Sequence, residues 1–189
     1  MAEHEERNGQ TADSCAQLAR WLTDEGLELL PSKDAHLLLD DGESRVRIDR
    51  TGDGWVLSRS LRDAKPLREV SSRRWQDVER YVVMLYLGSA RESRGLSRLA
   101  PLVELDAEGT AVVREGWNLR SGDEGGVLLT GPDGAQIWFS SDIAAAAFSR
   151  YAVYSADELR AQGSIADAPL ARRRELRSST PGRDEAEAT

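Results

Sequence analysis

The stretch GWNLRSGDEGGVLLTGPDGAQIWF, residues 116–139, follows the same plan as GLELLPSKDAHLLLDDGESRVRI, residues 26–48. Each opens with Gly, an apolar residue, a polar residue and Leu, and passes through a polar segment to an apolar triplet. Each closes with a Gly-bearing turn and an alternating strand. A hairpin unit of this kind cannot bury its apolar face alone, so we expect both copies to share a core with helices on one side. Whether the copies arose by duplication stays open.

Strands dominate the predicted body of the chain, which gives an α+β fold of antiparallel meanders in two related halves with three to four helices. Alternation in RVRID places Val46 and Ile48 on one face and the charged residues on the other. A further strand or two is predicted in VELDAEGTAVV, between the halves. The main strands are predicted at Leu27–Leu30, His36–Asp40, Arg45–Asp49, Trp55–Arg59, Gly116–Arg120, Gly126–Thr130 and Ala135–Ser140.

Helices are predicted around these strands. The first is capped at residue 13 or 14 and ends at Gly26. The second starts at Ser71 or Ser72, carries an apolar stripe at helical spacing and ends at Gly88.

Two shorter helices follow the second half. Ser141 or Asp142 caps the third helix. Ser155 and Glu158 have capping-box spacing at the start of the fourth helix, and Gly163 closes it.

The length of 189 residues suits one domain with tails. We expect a single ordered domain over residues 13–170. Residues 1–12 and 171–189 lack apolar periodicity and are predicted to be disordered tails. No apolar run approaches the roughly 20 residues of a membrane helix. The acidic start lacks the features of a secretory signal, and the single Cys15 allows no intrachain disulfide, so we expect a cytoplasmic protein.

Charge is unevenly distributed along the chain. The formal net charge of −8 disfavours nucleic acid as a partner. It either keeps the protein in solution or attracts a basic partner. Residues 59–98 form a basic block between two acidic ones. Lys33 and Lys65 are the only lysines among 25 basic residues, an arginine bias typical of a GC-rich genome such as an actinobacterial one.

No motif predicts catalysis. His4 lies in a predicted tail, His36 begins a strand, and no histidine is placed by a motif to pair with Cys15. The chain lacks CxxC, HExxH, GxSxG and a phosphate-cradling glycine loop. We therefore predict no catalytic residue, no metal site and no cofactor. Four tryptophans lie on apolar stripes or alternating strands and are predicted in the core, whereas Trp117 lies near an acidic loop.

The segment RRWQDVERYVVMLYLGSARESRGL, Arg73–Leu96, together with later elements in the same order, resembles the Immunity protein 61 family. The resemblance spans roughly residues 18–168, and Ser164–Leu170 is shorter than the end of that family. The positions that carry it are Val78–Tyr81, Gly88, Arg91, Gly95–Leu96, Gly116–Trp117, Asp133–Gly134, Trp138–Phe139 and Ala144–Ser149.

That family includes the immunity factor of the tuberculosis necrotizing toxin, a toxin that destroys NAD. The resemblance implies an antitoxin that binds a cognate toxin domain in the producing cell, occludes its active site and performs no reaction. The oligomeric state stays open. One alternative is a binding module or chaperone for a secretion-system substrate. Another is an enzyme that uses carboxylates alone.

Loops carried by a rigid sheet can enter a partner's cleft, and two loops of the second half are acidic. With the resemblance, they make Arg120–Gly125 and Thr130–Gly134 the candidate binding loops. The predicted partner-binding residues are Trp117, Arg120, Asp123, Glu124, Gly125 and Asp133.

Overall fold

The computed structural model describes residues 2–61, 64–97 and 103–165. Within these ranges the chain forms an eight-stranded antiparallel sheet, a separate two-stranded hairpin and four helices, which confirms the predicted α+β class. The helices are α1 (Ala2–Asp24), α2 (Trp75–Glu92), α3 (Asp142–Tyr151) and α4 (Ala156–Gln162).

The large sheet has the order β1-β2-β3-β4-β5-β10-β9-β8. Its strands are β1 (Glu28–Leu29), β2 (Leu37–Asp40), β3 (Ser44–Thr51), β4 (Gly54–Leu61), β5 (Leu67–Ser72), β8 (Asn118–Ser121), β9 (Val127–Thr130) and β10 (Gln136–Phe139). The separate hairpin pairs β6 (Glu104–Leu105) with β7 (Ala111–Val112), as predicted between the halves.

The two sequence copies occupy opposite ends of this single sheet. The first copy forms β1, β2 and β3 at one edge, and the second forms β8, β9 and β10 at the other. β5 joins the two halves because it pairs with β4 on one side and with β10 on the other. Gly26 and Gly116, which open the two copies, both have positive φ angles, +93° and +83°. The shared plan therefore describes two equivalent meanders.

One face of the sheet packs against the helices and forms a continuous core. Alternate strand residues point into this core, among them Leu57, Val70 and Phe139, each fully buried. α2 packs over β4 and β5, while α3 packs over β9 and β10. Tyr81 of α2 and Phe148 of α3 both contact the ring of Phe139, at centroid distances of 5.6 and 5.3 Å. Both halves thus share one core, as the sequence predicts.

Three boundaries differ from the predictions. α1 begins at Ala2 instead of residue 13 or 14, so the segment predicted as a disordered N-terminal tail is helical from that residue. α2 begins at Trp75 because the preceding residues form β5, a strand the sequence analysis missed. α2 also continues through the buried Gly88 to Glu92. The predicted tail 171–189 lies outside the described residues.

The last two helices follow their predicted signals. Ser141 is the N-cap residue of α3, although its side chain makes no capping hydrogen bond. Ser155 caps α4 through a complete capping box with Glu158, and Gly163 is the C-cap residue. These short helices are thus defined by local chemistry that the sequence displays directly.

Candidate functional site

The face of the sheet that the helices leave open carries a groove of about 750 Å³, here called the outer groove. It crosses β4, β5, β10 and β9, where the two halves of the sheet meet. The residues that line it are Thr51, Asp53, Gly54, Trp55, Val56, Arg68, Ser71, Ser72, Arg73, Arg74, Leu128, Asp133, Gly134, Ala135, Gln136 and Trp138.

Strand register explains the floor of the groove. Directly paired residues on antiparallel strands point to the same face of a sheet. Trp138 of β10 is paired with Ser71 of β5 and with Leu128 of β9, and Ser71 is in turn paired with Val56 of β4. Arg120 of β8 is paired with Leu128 and extends this row beyond the groove. The floor is thus a row of side chains from four strands with Trp138 at its centre.

The Nε1 edge of Trp138 lies against the backbone of the acidic loop SGDEGG, residues 121–126. A Cβ atom at Gly126 would meet its ring at 2.3 Å, and one at Gly122 would meet it at 3.1 Å. Its indole Nε1 donates a hydrogen bond of 3.0 Å to the carbonyl oxygen of Asp123. These two glycines therefore make room for the indole, which fixes the loop at the rim of the groove.

Arg68 covers a face of the indole. The centre of its guanidinium lies 3.9 Å from the Trp138 ring centroid, a close cation–π contact. The same guanidinium donates to the Ser71 hydroxyl and, at 3.3 Å, to the Glu124 carboxylate. Trp138 is thus held between glycine backbone and a guanidinium, which leaves little rotamer freedom to either side chain.

Glu124 has an unusual backbone conformation. Its φ of +59° lies in the left-handed region, which costs a residue with a Cβ roughly 1–2 kcal/mol. Its side chain is 74% exposed, so the pair with Arg68 is weak. Strained backbone at an exposed loop beside a groove is typical of binding sites.

A charge cluster fastens the β9–β10 turn to the start of α2. The buried carboxylate of Asp77 accepts hydrogen bonds from Arg74 at 2.9 Å and from the Ser72 hydroxyl at 2.7 Å. Arg74 also donates to Asp133 in the turn. These bonds, that to Asp77 first, raise the pKa of Arg74, and the bond from Arg74 lowers the pKa of Asp133. The cluster therefore fixes one wall of the groove, with Arg74 and Asp133 both ionised.

Arg73 differs from its neighbours in the groove. It is exposed, and no residue in the described part of the chain pairs with its side chain. Arg68 and Arg74, by contrast, are each held by carboxylates of the surrounding loops. Arg73 is thus a guanidinium available to a ligand.

The predicted site residues fall into four places. Asp133 lines the outer groove. Residues 123–125 form a single 3₁₀ turn at its rim, which brings Asp123, Glu124 and Gly125 together. Arg120 is exposed beside the groove. Trp117 is apart from these, because it lies on the helix side with its ring 6.2 Å from that of Phe148 at 86°.

Sequence reasoning missed the residues at the centre of the groove. Trp138 was predicted in the core, but it is only half-buried and lies on the open face. The signal was present: if Ile137 and Phe139 point inward, the residue between them points outward. Arg68, Arg73 and Arg74 belong to the arginine-rich segment 59–98, for which internal ion pairing was favoured over an acidic-partner site. The strand of Arg68 was missed, and Arg73 and Arg74 fall in the predicted first turn of the second helix. Trp55 and Trp75 are buried, as predicted.

The helix side contains a second polar cluster, between α1, α2 and α4. The buried Glu79 accepts hydrogen bonds from the Ser14 hydroxyl at 2.7 Å and from Arg160 at 2.9 Å. Burial, followed by the charge of Glu79, raises the pKa of the Cys15 thiol. A thiol with a raised pKa is a poor nucleophile, so this cluster ties the helices together and leaves Cys15 inert.

The described residues lack two features that other functions would need. They contain no cluster of three or more His, Cys, Asp or Glu side chains that could hold a metal ion. No helix among them is long and apolar enough to cross a membrane.

The fold and groove define a class: a two-layer α+β protein with a helix-covered core and an open sheet face that carries a groove. The Immunity protein 61 model matches residues 15–167, most of the chain, and the chain belongs to this family. The structure resembles that of Rv3902c from M. tuberculosis, with a TM-score of 0.65, 18% identity and coverage of 82% of this chain and 91% of that chain. At that identity the likeness concerns the fold alone. Curated proteins yield no sequence match.

Proposed function

We propose that this protein is an immunity protein that binds a cognate toxin domain in the cytoplasm and occludes the toxin's active site without catalysing a reaction. Family membership supports the immunity role. The observation that carries the mode of action is the outer groove, with its central Trp138 stacked under Arg68. Trp and Arg are the residue types most enriched at the energetic centres of protein interfaces.

The shape of the site favours a macromolecular partner. The groove is open along the sheet. Asp133 and Gly134 of the β9–β10 turn line it on one side, Thr51 and Asp53 of the β3–β4 connection also line it, and the loop 121–126 lies beside it, at the rim. The rim residues Asp123, Glu124 and Gly125 would contact the partner around the groove, with Arg120 and Asp133 on either side. Trp117 would act from beneath, by supporting β8 and the β9–β10 turn. A rigid sheet that presents such loops can block a cleft at little entropic cost.

The toxin is proposed to be an NAD-degrading enzyme. This part of the proposal rests on the sequence resemblance described above. It is tested separately from binding, by measuring the NAD content of cells that express the toxin domain with and without this protein.

The test of the function is co-expression with the toxin domain encoded by the neighbouring gene. We expect this protein to rescue growth and to co-purify with a folded, inactive toxin. Rescue should fail with Trp138→Ala and persist with Arg20→Gln, which changes an exposed arginine of α1 on the helix side. If neither rescue nor a complex is found, the proposal is wrong. If the partner is bound unfolded, the chaperone alternative is correct.

A further inference from the structure

We propose that the outer groove receives an acidic side chain, Asp or Glu, from a loop of the partner, and that Arg73 is its principal ligand. This inference rests on the proposed function, since the partner is the toxin domain. It adds the chemistry of recognition, which neither the family nor the fold assigns.

The formal charge of the groove lining is opposite in sign to that of the whole chain. The whole chain carries 25 basic and 33 acidic residues and a net charge of −8. The lining of the groove carries three arginines against two aspartates. A partner carboxylate would be repelled by most of this acidic protein, so Arg73 in the groove, unpaired in the part of the chain that the structure describes, gives the encounter one favoured place and orientation.

The three arginines of the groove differ in how far they are already paired. Arg74 is already shared between Asp77 and Asp133. Arg68 is fixed over Trp138 and reaches Glu124 only through a long, exposed contact of 3.3 Å. The exposed Arg73 is paired with no side chain in the described ranges. A planar guanidinium matches a carboxylate through two parallel hydrogen bonds, which makes Arg73 the open half of such a pair.

The carboxylate of Glu124, at the rim of the groove, can be exchanged for one from the partner. Glu124 is 74% exposed and held in a left-handed conformation, and an exposed ion pair of this kind contributes at most about 1 kcal/mol. A partner carboxylate that arrives between Arg73 and Arg68 can therefore displace Glu124 at low cost. The half-buried indole of Trp138 also lines the groove, and its accessible part provides an apolar surface for the stem of the incoming side chain.

The experiment measures the affinity of the toxin domain encoded by the adjacent gene for the wild-type protein and three variants by isothermal titration calorimetry. We expect Arg73→Gln to weaken binding about tenfold and Arg73→Glu to weaken it further, since each loses a charged hydrogen bond. The control Arg20→Gln should bind within about twofold of the wild type. Each variant is first checked for an unchanged melting temperature, which is expected because Arg73 is exposed.

A charge exchange identifies the partner's side chain. Single Asp→Arg and Glu→Arg substitutions across the toxin surface should include one that weakens binding to the wild type and restores binding to Arg73→Glu. Equal affinities of the wild type, Arg73→Gln and Arg73→Glu would overturn the inference while leaving the proposed function intact. A wild-type protein that does not bind the toxin domain would overturn both. A labelled DNA duplex that binds in place of the toxin domain, and that Arg73→Glu releases, would also overturn it.

Discussion

The two meanders of the sheet have the same plan but different outer faces. In each, the middle residue of the apolar triplet faces outward and is paired with an outward residue of the next strand. These pairs are Leu38 with Arg47 in the first meander and Leu128 with Trp138 in the second. In each, the second member of the pair donates a hydrogen bond to the backbone of the loop between the first two strands. Arg47 reaches the carbonyl oxygen of Asp34 at 3.1 Å, and Trp138 reaches that of Asp123 at 3.0 Å.

The difference lies in what surrounds these equivalent residues. Arg47 is neutralised by Asp49 on its own strand at 2.8 Å, so the first meander presents closed ion pairs to solvent. Trp138 lies on Gly126 and under Arg68, a residue of the neighbouring β5. The outer groove therefore lies where the second meander meets β5, β4 and the start of α2. We infer that the first meander supports the fold and that the second carries the contact.

The largest effect is expected at Gly126. An added Cβ would meet the Trp138 ring at 2.3 Å and the Phe139 carbonyl oxygen at 2.5 Å. We expect Gly126→Ala to lower the free energy of unfolding by about 3 kcal/mol, measured by urea denaturation. In a Trp138→Ala background the penalty should be smaller because one of the two obstacles is gone. The same penalty in both backgrounds would refute the close contact.

A second prediction separates the two tryptophans of the second meander. Trp117→Ala should lower the free energy of unfolding by about 2 kcal/mol, because the ring packs against Phe148 on the helix side and is partly buried. Trp138→Ala should cost less stability but more affinity for the toxin domain. Thermal unfolding and titration of both variants measure the two effects. A Trp117→Ala variant that keeps full stability but loses binding would contradict the placing of the contact on the open face of the sheet.

A smaller effect tests the left-handed backbone of Glu124, a conformation that no non-glycine residue adopts in the first meander. Glu124→Gly and Glu124→Ala both remove the carboxylate, but only glycine relaxes the left-handed conformation at φ +59°. We expect the glycine variant to be more stable than the alanine variant by about 1 kcal/mol in urea denaturation. Equal stabilities would mean that the conformation is not strained.

The smallest effect concerns the pH dependence of stability, compared between Asp133 in the β9–β10 turn and Asp40 at the end of β2. Hydrogen bonds from Arg74, then from the Ala135 backbone, lower the pKa of Asp133, and bonds from Arg45, then from the Gly42 backbone, lower that of Asp40. A lowered pKa adds stability above the unfolded value of about 3.9 and loses it as the pH falls through the folded value. Urea denaturation should therefore show a loss of stability below about pH 4 that Asp133→Asn and Asp40→Asn each reduce. If neither variant changes this loss of stability at low pH, the lowered pKa values of Asp133 and Asp40 are contradicted.

The sequence predicts most of the fold because its strands alternate and its turns carry strong signals. The capping box at Ser155 and the paired meanders are examples. β5 was missed because LREVSS has only Leu67 and Val70 as apolar residues, and its register slips against β4 between Leu57 and Ser58. The end of α2 was predicted at Gly88, but packing keeps that glycine inside the helix. Tertiary contact thus overrides the local signal in both places.

The candidate site was predicted at its rim but not at its centre. Charged loop tips such as Glu124 and Asp133 are visible in the sequence as turns between strands. Arg68 of β5 and Trp138 of β10 meet because these two strands are neighbours in the sheet. The sequence pattern of a strand does not indicate which strands lie beside it. Long-range strand order therefore decides the site, and single-sequence patterns do not contain it.

The most direct test of the account compares the equivalent residues Arg47 and Trp138 in one titration. The affinity of the cognate toxin domain is measured by isothermal titration calorimetry for Arg47→Ala and Trp138→Ala, with stability checked for both. We predict that Trp138→Ala weakens binding more than about tenfold, while Arg47→Ala stays within about twofold of the wild type. Loss of binding with Arg47→Ala and unchanged binding with Trp138→Ala would contradict the assignment of the contact to the second meander.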